Sequence, residues 1–155
     1  MANLLGNNLV VRIGDAITDP VLLCATSCTL NINQTTIEAT CKGDGTSGDK
    51  WSRAIAASAN WDLSTDGLYN PDFVNEESFD SMAKVIIDAA NGTADNSVSV
   101  VFEIQNSASA IGDVTMYSGT AILTDVSLNG PVDEFATFTA NFKGTGALVQ
   151  TLKVA

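Results

Sequence analysis

The sequence predicts a mainly β fold: a β-sandwich or barrel of about eight strands with one flanking α-helix. Two observations carry this. Apolar and polar residues alternate with period two through most of the chain, as in Thr29-Leu30-Asn31-Ile32-Asn33 and Phe138-Thr139-Ala140-Asn141-Phe142, which marks strands with one face in a core. A helical period occurs once, between Asn75 and Asn91, where Phe79, Met82, Ala83, Ile86, Ala89 and Ala90 recur at spacings of three and four.

Taken in order, residues 1–19 read as an N-terminal arm, with an apolar run at Leu9-Val10-Val11 and a weak strand before the turn-like Asp19-Pro20. Val21 to Thr26 is a compact apolar strand. Ser27 to Ile32 follows it, and Asn31 to Thr35 supplies turn chemistry before Ile37 opens the next strand. Then comes Lys42-Gly43-Asp44-Gly45-Thr46-Ser47-Gly48-Asp49-Lys50, rich in glycine and charge and without an apolar side chain. Nothing in that loop can bury itself in this chain's own core, and connections of such length are usually functional or disordered. Trp51 to Ala57 and Ser58 to Leu63 resume the strand pattern, with Ile55, Ala57, Ala59, Trp61 and Leu63 on one parity, until Ser64-Thr65-Asp66-Gly67 signals a turn.

Residues 69–75 lead into the helix, expected over 75–91. Asn75 is its N-cap, Glu76 and Glu77 place negative charge beside the unpaired N–H groups of the first turn, and Asn91-Gly92 ends it. From Ser97 the period returns to two, with Val98, Val100, Phe102 and Ile104 on one face. A polar connector, Asn106 to Asp113, precedes Val114 to Asp125, where the parity slips at Ser118-Gly119 and so predicts a bulge. Val126 to Leu128 ends at Asn129-Gly130-Pro131. The last main strand sets Ala136, Phe138, Ala140 and Phe142 inward, and after Gly144-Thr145-Gly146 the tail from Ala147 to Val154 is expected to pair as an edge strand.

A chain of 155 residues, 45% hydrophobic, forms one domain over 1–155 with a core of its own. No apolar run approaches the roughly 18 residues of a membrane span. Met1 to Gly6 lacks the basic start and apolar stretch of a secretory signal, so a cytoplasmic product is expected. Eighteen acidic side chains against seven basic ones give a net charge of −11. Lys and Arg are scattered singly, which disfavours binding to nucleic acid by phosphate neutralisation. The acidity suits solubility, or work close to DNA without adhesion to it.

The absence of histidine removes the usual neutral-pH base and the triads built on it. The adjacent acids Glu76-Glu77 and Asp133-Glu134 fall at a helix start and a turn, where carboxylates are solvated. Asp44 to Asp49 lacks the regular spacing of a calcium loop, and no phosphate-cradling motif occurs. Cys24, Cys28 and Cys41 are odd in number, lack histidine to complete a zinc site, and read as buried free thiols. No catalytic residue, cofactor or metal is expected.

The order of parts resembles a known family. Leu30-Asn31-Ile32, Glu38-Ala39-Thr40-Cys41-Lys42, the polar glycine loop, Lys50-Trp51 and Ala59-Asn60-Trp61-Asp62-Leu63-Ser64-Thr65-Asp66-Gly67-Leu68 look like the N-terminal half of the major tail tube proteins of long-tailed phages. Phe135 to Gly146 resembles that family's penultimate strand and Gly-x-Gly exit. Asn60 stands where serine is more usual, and residues 1–19 match poorly. The resemblance implies a tail-tube or type VI secretion tube-like fold and a structural virion protein, not an enzyme. Such subunits self-assemble into hexameric rings that stack into a hollow tail tube, through which phage DNA passes to the host without specific binding. Six copies at −11 would bring about −66 charges to a ring.

It also implies that Lys42, Gly43, Asp44, Gly45, Thr46, Ser47, Gly48, Asp49 and Lys50 form an assembly loop reaching a neighbouring subunit or ring. The partners expected are copies of the chain itself, a tape measure protein and possible sheath, tail terminator and baseplate proteins. No membrane partner is expected. The location implied is the virion tail, assembled in the host cytoplasm. Alternatives are a type VI secretion-like tube subunit, a tail-tip or baseplate ring protein, and a carbohydrate-binding β-sandwich using Trp51 or Trp61.

Overall fold

The computed structural model describes residues 9–13, 25–38, 54–69, 79–93, 95–105 and 110–154. The strands are β1 (Leu9–Ile13), β2 (Ala25–Glu38), β3 (Ala54–Leu68), β4 (Ser97–Ile104), β5 (Val114–Asn129), β6 (Thr137–Gly144) and β7 (Val149–Leu152), with the helix α1 (Phe79–Ala90) between β3 and β4. The seven strands make one antiparallel sheet in the order β1-β4-β5-β6-β3-β2, and β7 pairs β5. The two ends of this path come together: the Cys28 thiol of β2 donates to the Leu9 carbonyl of β1 at 3.8 Å. The sheet thus curls around its own core, as mainly β chains do to limit open edges.

Cross-strand register explains which residues fill that core. Leu30, Leu63, Phe142 and Leu123 stand opposite one another across β2, β3, β6 and β5, and the next inward row is Cys28, Thr65, Ala140 and Val126. Val11, Phe102 and Tyr117 form a corresponding row across β1, β4 and β5. Leu63, Leu123, Phe138 and Phe142 are fully buried, each contributing about 1.5–3 kcal/mol relative to exposure. The inward parity expected for Phe138, Ala140 and Phe142 holds. The weak strand expected in the N-terminal arm is β1, and its Val11 is also a core residue, which the sequence pattern did not predict.

Helix α1 lies against the sheet with Met82 buried and Phe79, Val85 and Ile86 packed around it. Tyr69 anchors its start: the ring meets Phe79 edge to face at 6.2 Å, and the hydroxyl donates to Asp80 at 2.9 Å. The helix stops as the sequence predicts. Gly92 is left-handed at φ 73°, its N–H reaches the Ala89 carbonyl, and the Thr93 N–H reaches Asp88, the paired closing bonds of a Schellman end. Asn75, Glu76 and Glu77 lie outside the described residues.

Three local expectations are corrected. Asn31 to Thr35 makes no turn, because β2 runs unbroken from Ala25 to Glu38. Ser64 to Gly67 likewise continues β3 to Leu68. In both places side chains that suggested a turn bond across the sheet instead: Asn31 donates to Asp62, Thr35 to Ser58, and Asp66 accepts from Ser27 and Thr139, while Thr65 points its side chain into the core. The bulge expected at Ser118-Gly119 is also absent from the β4–β5 ladder, which passes through Val101↔Ser118 and Val100↔Gly119 in register. The irregularities of β5 lie at Leu123/Asp125 against β6 and at Val114/Met116 against β7.

Candidate assembly surfaces

The outward rows of the β2-β3-β6-β5 sheet differ sharply from the inward ones. Asn31, Asp62, Lys143 and Ile122 form one row; Thr29, Ser64, Asn141 and Asp125 the next; Ser27, Asp66, Thr139 and Ser127 the third. Apart from Ile122, every position carries a hydroxyl, an amide or a charge. The carboxylates are tied sideways to neighbouring strands. Asn31 Nδ2 donates to Asp62 Oδ1 at 2.9 Å, and Asn141 Nδ2 to Asp125 Oδ1 at 2.8 Å. Ser27 Oγ and Thr139 Oγ1 both donate to Asp66, at 2.9 and 2.6 Å. Short polar side chains paired in this way make a broad acidic face. The reading of Ser64 to Gly67 as a turn hid it, although Asn60, Asp62, Ser64 and Asp66 alternate with Trp61, Leu63, Thr65 and Gly67 in plain view.

A second surface is the far half of the β2–β3 hairpin. β6 accompanies β3 only from Asp62 to Leu68, whereas β2 and β3 stay paired as far as Glu38↔Ala54. Residues 31–38 and 54–60 are exposed throughout, so this part is a two-stranded ribbon standing clear of the body. Where its register shifts, the Thr35 hydroxyl donates to the Ser58 carbonyl at 3.1 Å and accepts from the Ser58 N–H at 3.2 Å. Beyond that point Ile37 and Ile55 face each other, 63% and 60% exposed. Among the described residues no third strand pairs with this ribbon, and a lone ribbon with an exposed apolar pair is at best marginal in water. The assembly loop expected from Lys42 to Lys50, together with Trp51, lies outside the described residues.

Trp61 marks the root of the ribbon. It is 4% exposed, its Nε1 donates to the Gly146 carbonyl at 3.2 Å, and its ring packs where side chains on Gly119 and Gly144 would stand. So placed, it is an anchor and not a platform for a sugar, which removes Trp61 from the carbohydrate-binding alternative. Past Trp61 the ribbon and β7 diverge and leave an open cleft of about 380 Å³ lined by Ile32, Ala59, Trp61, Tyr117, Leu148 and Gln150 among others. Cys28 is a free thiol whose pKa is raised by burial; Cys24 and Cys41 lie outside the described residues. Among the described residues no group of three or more His, Cys, Asp or Glu is placed to hold a metal ion, and no helix is long and apolar enough to cross a membrane.

A curled antiparallel sheet with an acidic outer face and an exposed ribbon is the architecture of a structural β protein. The chain belongs to the phage tail tube protein family, whose model matches residues 5–150. It is therefore a structural component of the virion tail and not an enzyme. Solved structures of similar fold include the tail of an empty gene transfer agent particle refined with C6 symmetry (14% identity over 96% of this chain and 99% of the other, TM-score 0.69). The tube-terminating cap of the anti-feeding prophage is similar at 14% identity over 99% and 93%, TM-score 0.68. The SPP1 tail tube is similar at 11% identity over 99% and 81%, TM-score 0.60. No curated protein matches the chain.

Proposed function

We propose that copies of this chain assemble into six-membered rings that stack into the hollow tube of a phage tail, with the acidic face turned to the lumen and phage DNA passing along it to the host. The observation that carries this reading is the composition of that face: three rows across four strands with Asp62, Asp66 and Asp125 against Lys143, and no apolar side chain but Ile122. Such a surface repels phosphates and gives bases nothing to stack on. The C6 symmetry of a similar tail supports the ring number.

The ribbon, with the loop from Lys42 to Lys50 between its strands, reaches a neighbouring subunit or ring, so its edges are paired only in the assembly. A tape measure protein occupies the lumen before DNA does. Terminator and baseplate proteins close the ends, a sheath surrounds the tube where the tail contracts, and assembly takes place in the host cytoplasm. Similarity to the anti-feeding prophage cap supports a second reading, a tube, cap or tip ring of an injection or secretion system.

Electron microscopy of the purified protein and of native particles tests the proposal. Hollow tubes with six subunits per ring are expected. Particles in which the chain occurs only as monomers would end it.

A further inference from the structure

The turn between β5 and β6 projects an apolar knob. Val132 and Phe135 are 88% and 83% exposed, Leu128 behind them is also exposed, and Asp133 holds the turn in shape with φ at 64°, a conformation uncommon outside glycine. Asp133 and Glu134 precede Phe135 and bring negative charge to the turn. The cleft beside Trp61 lies at the other end of β6, the length of Thr137–Gly144 away, roughly 25 Å at the rise of a strand. No side chain spans that distance, so knob and cleft cannot meet within one chain.

They match in character. The cleft measures about 380 Å³ and has Ile32, Ala59, Trp61, Tyr117 and Leu148 in its walls with no charged residue among them; for comparison, a closed apolar cavity of about 150 Å³ accepts benzene. Trp61 also borders a second hollow, and there Lys143 stands at the rim. Lys143 is exposed and forms no ion pair among the described residues. A cation is uncommon on a chain of net charge −11; Lys143 lines the second hollow with Asp62 across from it, and it precedes Gly144, against which the Trp61 ring packs, so it stands at the same end of β6 as the cleft.

We infer that the Val132–Phe135 turn of one copy seats in the Trp61 cleft of the next, with Glu134 directed at the neighbour's Lys143. This contact is head to tail: each copy offers a knob at one end and a cleft at the other, a heterologous interface that repeats along a stack. It rests on the proposal that the chain builds a tube, and it assigns the residues joining one ring to the next.

Phe135→Glu and, separately, Ile32→Glu change exposed residues on the two sides of the contact. Each variant is expected to melt as the parent does and to raise the protein concentration needed for tube growth, read by sedimentation and negative stain, by about tenfold or more. Lys143→Glu weakens growth, and Glu134→Lys in the same chain restores it. If folded Phe135→Glu protein grows tubes at the parental concentration, or if the charge exchange restores nothing, the contact is wrong while the tube stands. If the unaltered protein never grows tubes, the tube proposal falls and takes the contact with it.

Discussion

The indole of Trp61 occupies the space that a side chain at Gly119 would need: a Cβ there would stand 2.6 Å from Cζ2 of the ring. The glycine of β5 and the tryptophan of β3 are thus one fitted pair, and the ring's position over β5 explains why the apolar parity of that strand breaks at Gly119 without a bulge. Gly144 meets the fused centre of the same ring still more tightly. Gly119→Ala and Gly144→Ala are each expected to cost about 1–3 kcal/mol through overpacking, seen as a melting temperature lower by roughly 2–4 °C per kcal/mol. An unchanged melting temperature for Gly144→Ala would mean that the indole is free to move.

Phe138 shares the inward face of β6 with Phe142 and is 1% exposed. Phe138→Ala should destabilise the subunit by about 3–5 kcal/mol, measured as the shift in urea midpoint at constant slope. A midpoint like the parent's would contradict the packing of the sheet.

Deleting Gly43 to Asp49 removes no apolar side chain, so the subunit should keep its circular dichroism and melting temperature while losing the ability to extend tubes. A deletant that still polymerises would strip this segment of its proposed role.

The lumen assignment predicts a separation of assembly from transit. Replacing Asp62, Asp66 and Asp125 together with lysine should still permit tubes, because these side chains point away from the core. Nucleic acid should then be retained by the tube in a salt-dependent manner, and particles should release DNA more slowly. Equal release from altered and parental particles would place these residues elsewhere than on the channel wall.

Burial raises the pKa of the Cys28 thiol above its ordinary value of 9.0. Stability from this site is therefore at its full value below pH 9.0 and falls as the pH climbs from there toward the folded value, because only the unfolded chain ionises freely. In a Cys24→Ser, Cys41→Ser background, folded protein should react with a thiol reagent more slowly than urea-unfolded protein at the same pH. Equal rates would show the thiol to be accessible.

Much of this fold was legible in the sequence because burial enforces period. Phe138, Ala140 and Phe142, the helical stripe through Met82 and Ile86, and the Gly92 stop all follow from one residue type serving one environment. Polar runs were harder to read. Asp66 beside Gly67 has the chemistry of a turn, and only the presence of Ser27 and Thr139 on adjacent strands makes it part of a sheet. Those partners lie far apart in sequence, and no local pattern announces them. The Trp61 cleft was hidden for the same reason, since it forms where β6 leaves β3 and β7 takes its place on β5.

The hydrogen bonds on the acidic face also determine what that face can hold. A serine or threonine hydroxyl has a single proton to give, and those of Ser27 and Thr139 are already given to Asp66. At these two positions only oxygen lone pairs are left to face outward, and Lys143 is the one cation in the three rows. The face is hydrophilic yet ungrasping, with its acids already held by neighbours in the sheet.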